Sequence, residues 1–238
     1  MGHHTGRAGA RRNAAWRWHA TLPGHALVLA AGLAASVASR AAGGHHAVDD
    51  AALLEPGQCQ VETWYERGSA RSLLHVGPAC RVAAVELGFD ANRVRLSGDG
   101  TTSVAVAQVK WATAHTAAWS SGVVFGVAAQ DRAPKFLGSV LIVPVTWQAS
   151  ETLLVHANLG RDFRHREPDA TRAGVALEWT ASAAWSLVAE RFAEGRSDFW
   201  RAGARWSASP SLLVDVSRAR PLGGDAPAWW TVGLTWLF

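Results

Sequence analysis

Trp230-Thr231-Val232-Gly233-Leu234-Thr235-Trp236-Leu237-Phe238 closes the chain. Side chains alternate along a strand, so Trp230, Val232, Leu234, Trp236 and Phe238 share one face. Thr231, Gly233, Thr235 and Leu237 share the other. The first face is wholly apolar and heavily aromatic; the second is light. A strand so divided fits lipid on one side and a crowded or wet interior on the other.

Working back from this strand, the chain beyond residue 57 falls into segments of about ten residues with period-2 patterning, separated by turn residues. The pattern predicts twelve strands: Gln58–Arg67, Arg71–Ala79, Val82–Asp90, Ser103–Ala112, Trp119–Ala128, Phe136–Trp147, Leu153–Asp162, Gly174–Ala181, Trp185–Ala193, Phe199–Ser207, Leu212–Arg220 and Trp229–Phe238. An even count of antiparallel strands returns both ends to one rim, the periplasmic rim of a bacterial barrel. The more polar links, such as Asn92–Gly100 and Arg164–Arg172, alternate with tight ones such as Ser182–Ala184 and Ala208–Ser211. The fold expected is an all-β, transmembrane, antiparallel up-and-down barrel occupying residues 58–238. A terminal aromatic, here Phe238, resembles the closing strand of such barrels.

Composition agrees. Mean hydropathy is +0.02, too low for a polytopic helical protein, whereas a barrel hides its membrane signal in alternation. Residues 1–41 read as an export signal: Arg7, Arg11, Arg12 and Arg17 precede an apolar run from Ala26 to Ala38. That run is shorter than the ~20 residues of a helical span. Cleavage is expected after Ala38 or Ala41. Beyond residue 38 stand nineteen acidic and nineteen basic residues, 19 − 19 = 0. The sequence pI of 9.8 therefore reflects mainly the signal, and nucleic acid is not expected as a partner.

Eleven tryptophans follow the signal. Indole rings favour the headgroup level, where an apolar body and a polar N–H are both accommodated. Trp111, Trp119, Trp147, Trp179, Trp185, Trp206, Trp236 and Phe238 are expected to girdle the tight-turn rim, and Trp64, Trp200, Trp229 and Trp230 the other. The core of a soluble sandwich would draw such residues to mid-strand instead. Cys59 opens the first strand and Cys80 follows the second, which predicts a disulfide across neighbouring strands.

Alternation also assigns the interior. Glu178 lies between outward Leu177 and Trp179, and the same logic places Glu62, Glu86, Gln108, Lys110, His156, Asn158, Asp162, Glu190, Arg201, Arg205 and Asp215 in the lumen. Such mixed charges fit either an interlocking network or a polar track for a solute. Twelve strands lie between barrels filled by side chains and those with open pores, so a narrow or gated passage is expected. Residues 42–57 precede the barrel, as a periplasmic tail or a segment tucked into the lumen. His45-His46 with Asp49-Asp50 offers metal-binding atoms, but no spacing enforces a coordination geometry, and neither metal nor cofactor is assigned.

Gly57-Gln58-Cys59-Gln60-Val61-Glu62-Thr63-Trp64, His156-Ala157-Asn158-Leu159-Gly160, Gly174-Val175-Ala176-Leu177-Glu178-Trp179, Ala189-Glu190-Arg191-Phe192, Gly203-Ala204-Arg205-Trp206 and the terminal Gly233–Phe238 resemble a family. It is the proteobacterial outer-membrane proteins grouped with meta-pathway phenol degradation. The resemblance covers most of residues 50–238 and implies a Gram-negative outer-membrane barrel passing small organic molecules; it carries over no catalytic residues. The expected partners are outer-membrane lipid, the barrel assembly machinery during biogenesis, and a small solute. The alternatives are a plugged structural barrel and, less favoured, a hydrolase, since no lipid-facing Ser/His pair stands out.

Overall fold

The computed structural model describes residues 44–195, 197–223 and 226–238. The predicted export signal and its cleavage sites lie outside the described residues. Twelve strands form: β1 (Cys59–Gly68), β2 (Arg71–Val82), β3 (Val85–Leu96), β4 (Gly100–Ala114), β5 (Trp119–Gln130), β6 (Phe136–Gln148), β7 (Leu153–Arg164), β8 (Ala170–Thr180), β9 (Trp185–Glu194), β10 (Ser197–Ser209), β11 (Leu212–Pro221) and β12 (Trp229–Leu237). Each pairs antiparallel with its sequence neighbours, and β12 returns to β1 to close the barrel. Closure removes every free sheet edge, which a bilayer demands because its core offers no other hydrogen-bond partner.

Several strands run further than the alternation predicts. β3 continues to Leu96 and β4 starts at Gly100, so most of the expected Asn92–Gly100 link is ladder, with rungs such as Arg95↔Thr101. The turn signal there consists of polar residues that stand clear of the apolar belt yet still pair their backbones. Pro78 and Pro144 have the opposite effect. Lacking an N–H, each sits where a ladder skips, from Val76↔Ala91 to Ala79↔Gly88 and from Ser121↔Val145 to Val124↔Ile142.

The two faces separate as the closing strand requires. Trp230, Val232, Leu234, Trp236 and Phe238 are exposed, while Trp229, Thr231, Gly233 and Thr235 are buried. Around the tight-turn rim Trp111, Trp119, Trp147, Trp179, Trp185, Trp206 and Trp236 all face out. Several stack across strands: Trp119 on Trp147 at 5.6 Å and Trp185 on Trp206 at 6.2 Å. An outer surface this apolar far exceeds the patches of a water-soluble protein. At mid-height on β11, Val216 is 45% exposed. Val216→Arg is expected to cost ~2–4 kcal/mol, read by urea unfolding in lipid vesicles.

Two girdle assignments are corrected. Trp64 and Trp229 face inward. Trp64 shares the parity of Gln60, Glu62 and Glu66 and stacks on buried His75 at 3.4 Å. Trp229 shares the parity of Thr231, is 3% exposed, and packs edge-on against Phe199 at 5.0 Å. Strand height suits both to a girdle; face parity overrides it. Cys59 and Cys80 are register partners joined by a disulfide.

Candidate functional site: the lumen

Every inward residue read from alternation is buried or half-buried. Many of them serve one purpose: they hold the N-terminal segment, whose described part, from Gly44, runs through the barrel. The wall grips its main chain. Gly44 N–H donates to Glu62 Oε1 at 2.8 Å. The N–H groups of Ala47 and Val48 donate to Glu190 Oε2 at 3.1 and 3.0 Å. Ala51 N–H donates to Thr146 Oγ1 at 2.9 Å, and Leu54 N–H to Glu86 Oε2 at 3.1 Å. Arg81 donates to Leu54 O at 2.8 Å, and Arg201 to His45 O. With its amide turned to suit the network, Asn158 accepts from Asp49 N–H at 2.7 Å and donates to Asp49 O at 3.0 Å.

Side chains add to this grip. Lys110 Nζ lies 2.9 Å from Asp50 Oδ1. Burial alone would raise the Asp50 carboxyl, but Lys110 outweighs it and the group is held below the usual carboxylate range. Val48 is 1% exposed and packs with Ala176, Phe192, Phe199, Ala219 and Trp229. Gly174 permits this approach, because a Cβ there would stand 2.6 Å from Val48 Cγ2.

Behind the segment the wall charges interlock. Arg205 Nε donates to Asp215 Oδ1 at 2.8 Å, with Glu178 Oε1 at 3.9 Å from its Nη1. Glu178 Oε2 in turn faces His156 Nε2 at 3.8 Å, and Arg201 pairs Glu190 at 3.2 Å. Asp162 stands apart from this cluster and binds Arg172 at 2.6 Å. The four-residue set His45, His46, Asp49 and Asp50 does not converge: Asp50 turns to Lys110, while His45 and His46 come together with Asp215 instead.

The segment leaves the opposite wall open. A cavity of about 500 Å³ is lined by Glu66, Arg71, His75, Asn92, Arg201 and Trp229, among others. A second, of about 180 Å³, is bounded by Gln60, Glu62, Glu86, Gln108 and Lys110. Asp49, Trp64, His75 and Asp90 line both, so the two cavities adjoin across these four side chains. Cations sit over the aromatic rings of the larger cavity, Arg71 at 4.6 Å and Arg201 at 5.6 Å from the Trp229 ring. Gly77 lets His75 and Asp90 approach the wall here: a Cβ there would stand 2.6 Å from His75 Nε2 and 2.8 Å from Asp90 Oδ1.

Two Ser–His contacts are not legible in the alternation, His45 with Ser217 inside the barrel and a second one at a turn. His115 Nε2 lies 2.7 Å from Ser121 Oγ. The pair ties the β4–β5 turn, where His115 N–H also bonds Trp119 O. Its spacing of six residues across a hairpin was a signal available from the start.

A closed, even-stranded barrel with an apolar aromatic exterior and a charged interior defines a membrane-spanning barrel of the bacterial outer-membrane class. The chain belongs to the family described as uncharacterised conserved protein UCP029691, whose model matches residues 29–238. No curated protein shows significant similarity to it. Among solved structures it is similar in fold to the KdgM porin, at TM-score 0.60 and 8% identity over 74% of this chain and 98% of that one. An outer-membrane channel from Pseudomonas putida F1 matches at TM-score 0.57 and 10% identity, over 79% and 98%. The Pseudomonas putida toluene transporter TodX matches at 0.51 and 6%, over 78% and 90%.

Proposed function

We propose that the protein is a narrow outer-membrane channel for small organic molecules, with residues 44–57 as its resident constriction. The observation that carries this reading is the pair of cavities that adjoin beside the segment at Asp49, Trp64, His75 and Asp90. The larger falls within the ~300–1,000 Å³ of small-molecule sites. Its lining joins aromatic faces, Trp64, Phe192 and Trp229, to guanidinium and carboxylate groups. That chemistry suits a flat aromatic solute bearing a polar or anionic substituent. The resemblance to proteins grouped with phenol degradation points to the same solutes, as does the name of the toluene transporter among the similar folds. The barrel assembly machinery inserts the chain, and lipid covers its outer face.

Conductance in planar bilayers tests the channel, with phenol and benzoate titrated as blockers. The expected result is small unitary currents that both solutes reduce. Gly77→Val should cut the current severalfold, because the added side chain presses on His75 and Asp90 where the two cavities adjoin. Folded protein that carries no current and binds neither solute would instead be a structural barrel.

A further inference from the structure

We propose that His45, His46 and Asp215 form a site for a first-row divalent transition-metal ion that staples the N-terminal segment to the barrel wall. One candidate ligand atom from each residue lies within 4.8 Å of the others. His45 Nδ1, His46 Nδ1 and Asp215 Oδ2 are all buried, and none has a hydrogen-bond partner. Glu190 Oε1 stands 3.5 Å from His46 Nδ1 as a charged neighbour. Buried polar atoms are nearly always satisfied. One cation satisfies all three.

The surroundings orient each ligand. His45 Nε2 lies 2.6 Å from Ser217 Oγ. Donation from Nε2 to that hydroxyl leaves the lone pair on Nδ1, the arrangement that metal-binding imidazoles use. Arg205 Nε occupies Asp215 Oδ1 at 2.8 Å and leaves Oδ2 for an ion. Gly233, the register partner of Asp215, makes room: a Cβ there would stand 3.3 Å from His45 Nδ1. Ligand bonds of ~2.0–2.2 Å require the three atoms to draw together by about 1 Å.

Charge favours a dication. Glu178, Glu190 and Asp215 set three carboxylates about the site, against the guanidinium groups of Arg201 and Arg205. The surplus is one negative charge. Two imidazoles and one carboxylate suit Zn²⁺, Co²⁺ or Ni²⁺, whereas Mg²⁺ and Ca²⁺ prefer all-oxygen sets. Both histidines line the larger cavity, which gives an ion a route to the site. The site requires the segment to lie in the lumen, not that the lumen conducts, so its test is independent of conductance.

The experiment uses tag-free protein purified from outer membranes, stripped with chelator and titrated with Co²⁺. The expected result is one saturable equivalent with visible ligand-field absorption, displaced by Zn²⁺. His45→Gln and His46→Gln should each abolish the band, and Ser217→Ala should weaken binding by about 10-fold or more. His115→Gln should leave it unchanged. Heat-modifiable migration in electrophoresis reports folding of each variant. Absence of saturable Co²⁺ binding, or a band that survives His45→Gln with His46→Gln, overturns the proposal. If the histidine variants fail to fold, Ser217→Ala decides, and unchanged affinity there overturns it.

Discussion

Removing residues 44–54 is expected to raise single-channel conductance severalfold while leaving the barrel folded. The segment contributes no strand to the closed sheet, and Cys59 still opens β1 and bonds Cys80. Its loss clears the half of the lumen beside β6–β11, where Val48 packs and the Ala47, Val48 and Ala51 N–H groups dock. Glu62, Glu86 and Glu190 then meet water in place of main-chain donors. Water solvates carboxylates well, so the wall tolerates the change. Bilayer recordings of the shortened and full chains check the prediction; equal currents would place the conductive path wholly outside the segment's reach.

Arg205→Met should have the largest effect on stability, a loss of about 3–5 kcal/mol. Arg205 is 2% exposed and stands between Asp215 and Glu178. Methionine fills similar volume but leaves two buried carboxylates facing each other without their cation. The penalty for such uncompensated charge exceeds the net worth of the original pair. Arg205→Met combined with Asp215→Leu is therefore expected to recover much of the loss. Urea unfolding in lipid vesicles, followed by tryptophan fluorescence, compares the three proteins.

Strand parity made most of the wall legible. Glu178 could be placed because Leu177 and Trp179 flank it, and Asp215 because Val214 and Val216 do. The same rule, applied to β12, would have turned Trp229 inward with Thr231; assigning it by height alone lost that information. Trp64 failed likewise, although Glu62 and Glu66 bracket it on the inward face. Strand ends were less legible, since backbone pairing continues past the apolar belt through residues such as Arg93 and Arg95 that resemble loop.

The threading of the N-terminal segment was the least legible feature. Much of its hold on the wall runs through main-chain atoms, which every residue type carries, so that part of the docking leaves no mark in the composition of Gly44–Gly57. The available signal was in the wall. Six inward acids, Glu62, Glu86, Asp162, Glu178, Glu190 and Asp215, faced only Lys110, Arg201 and Arg205 in the alternation. A surplus of buried acceptors implies donors from elsewhere. The N–H groups of Gly44, Ala47, Val48 and Leu54 supply them.

Because backbone amides engage Glu62, Glu86 and Glu190, the specificity of those three contacts resides in the receptor half, while His45, Val48 and Asp50 specify the rest from the tether. Related chains can drift freely at Ala47 or Ala52 without unseating the tether, while exchanging any of those three glutamates removes an acceptor that no mutation in the tether restores. Divergence should accordingly be asymmetric, rapid at Ala47 and Ala52 and slow on the staves whose glutamates hold the main chain.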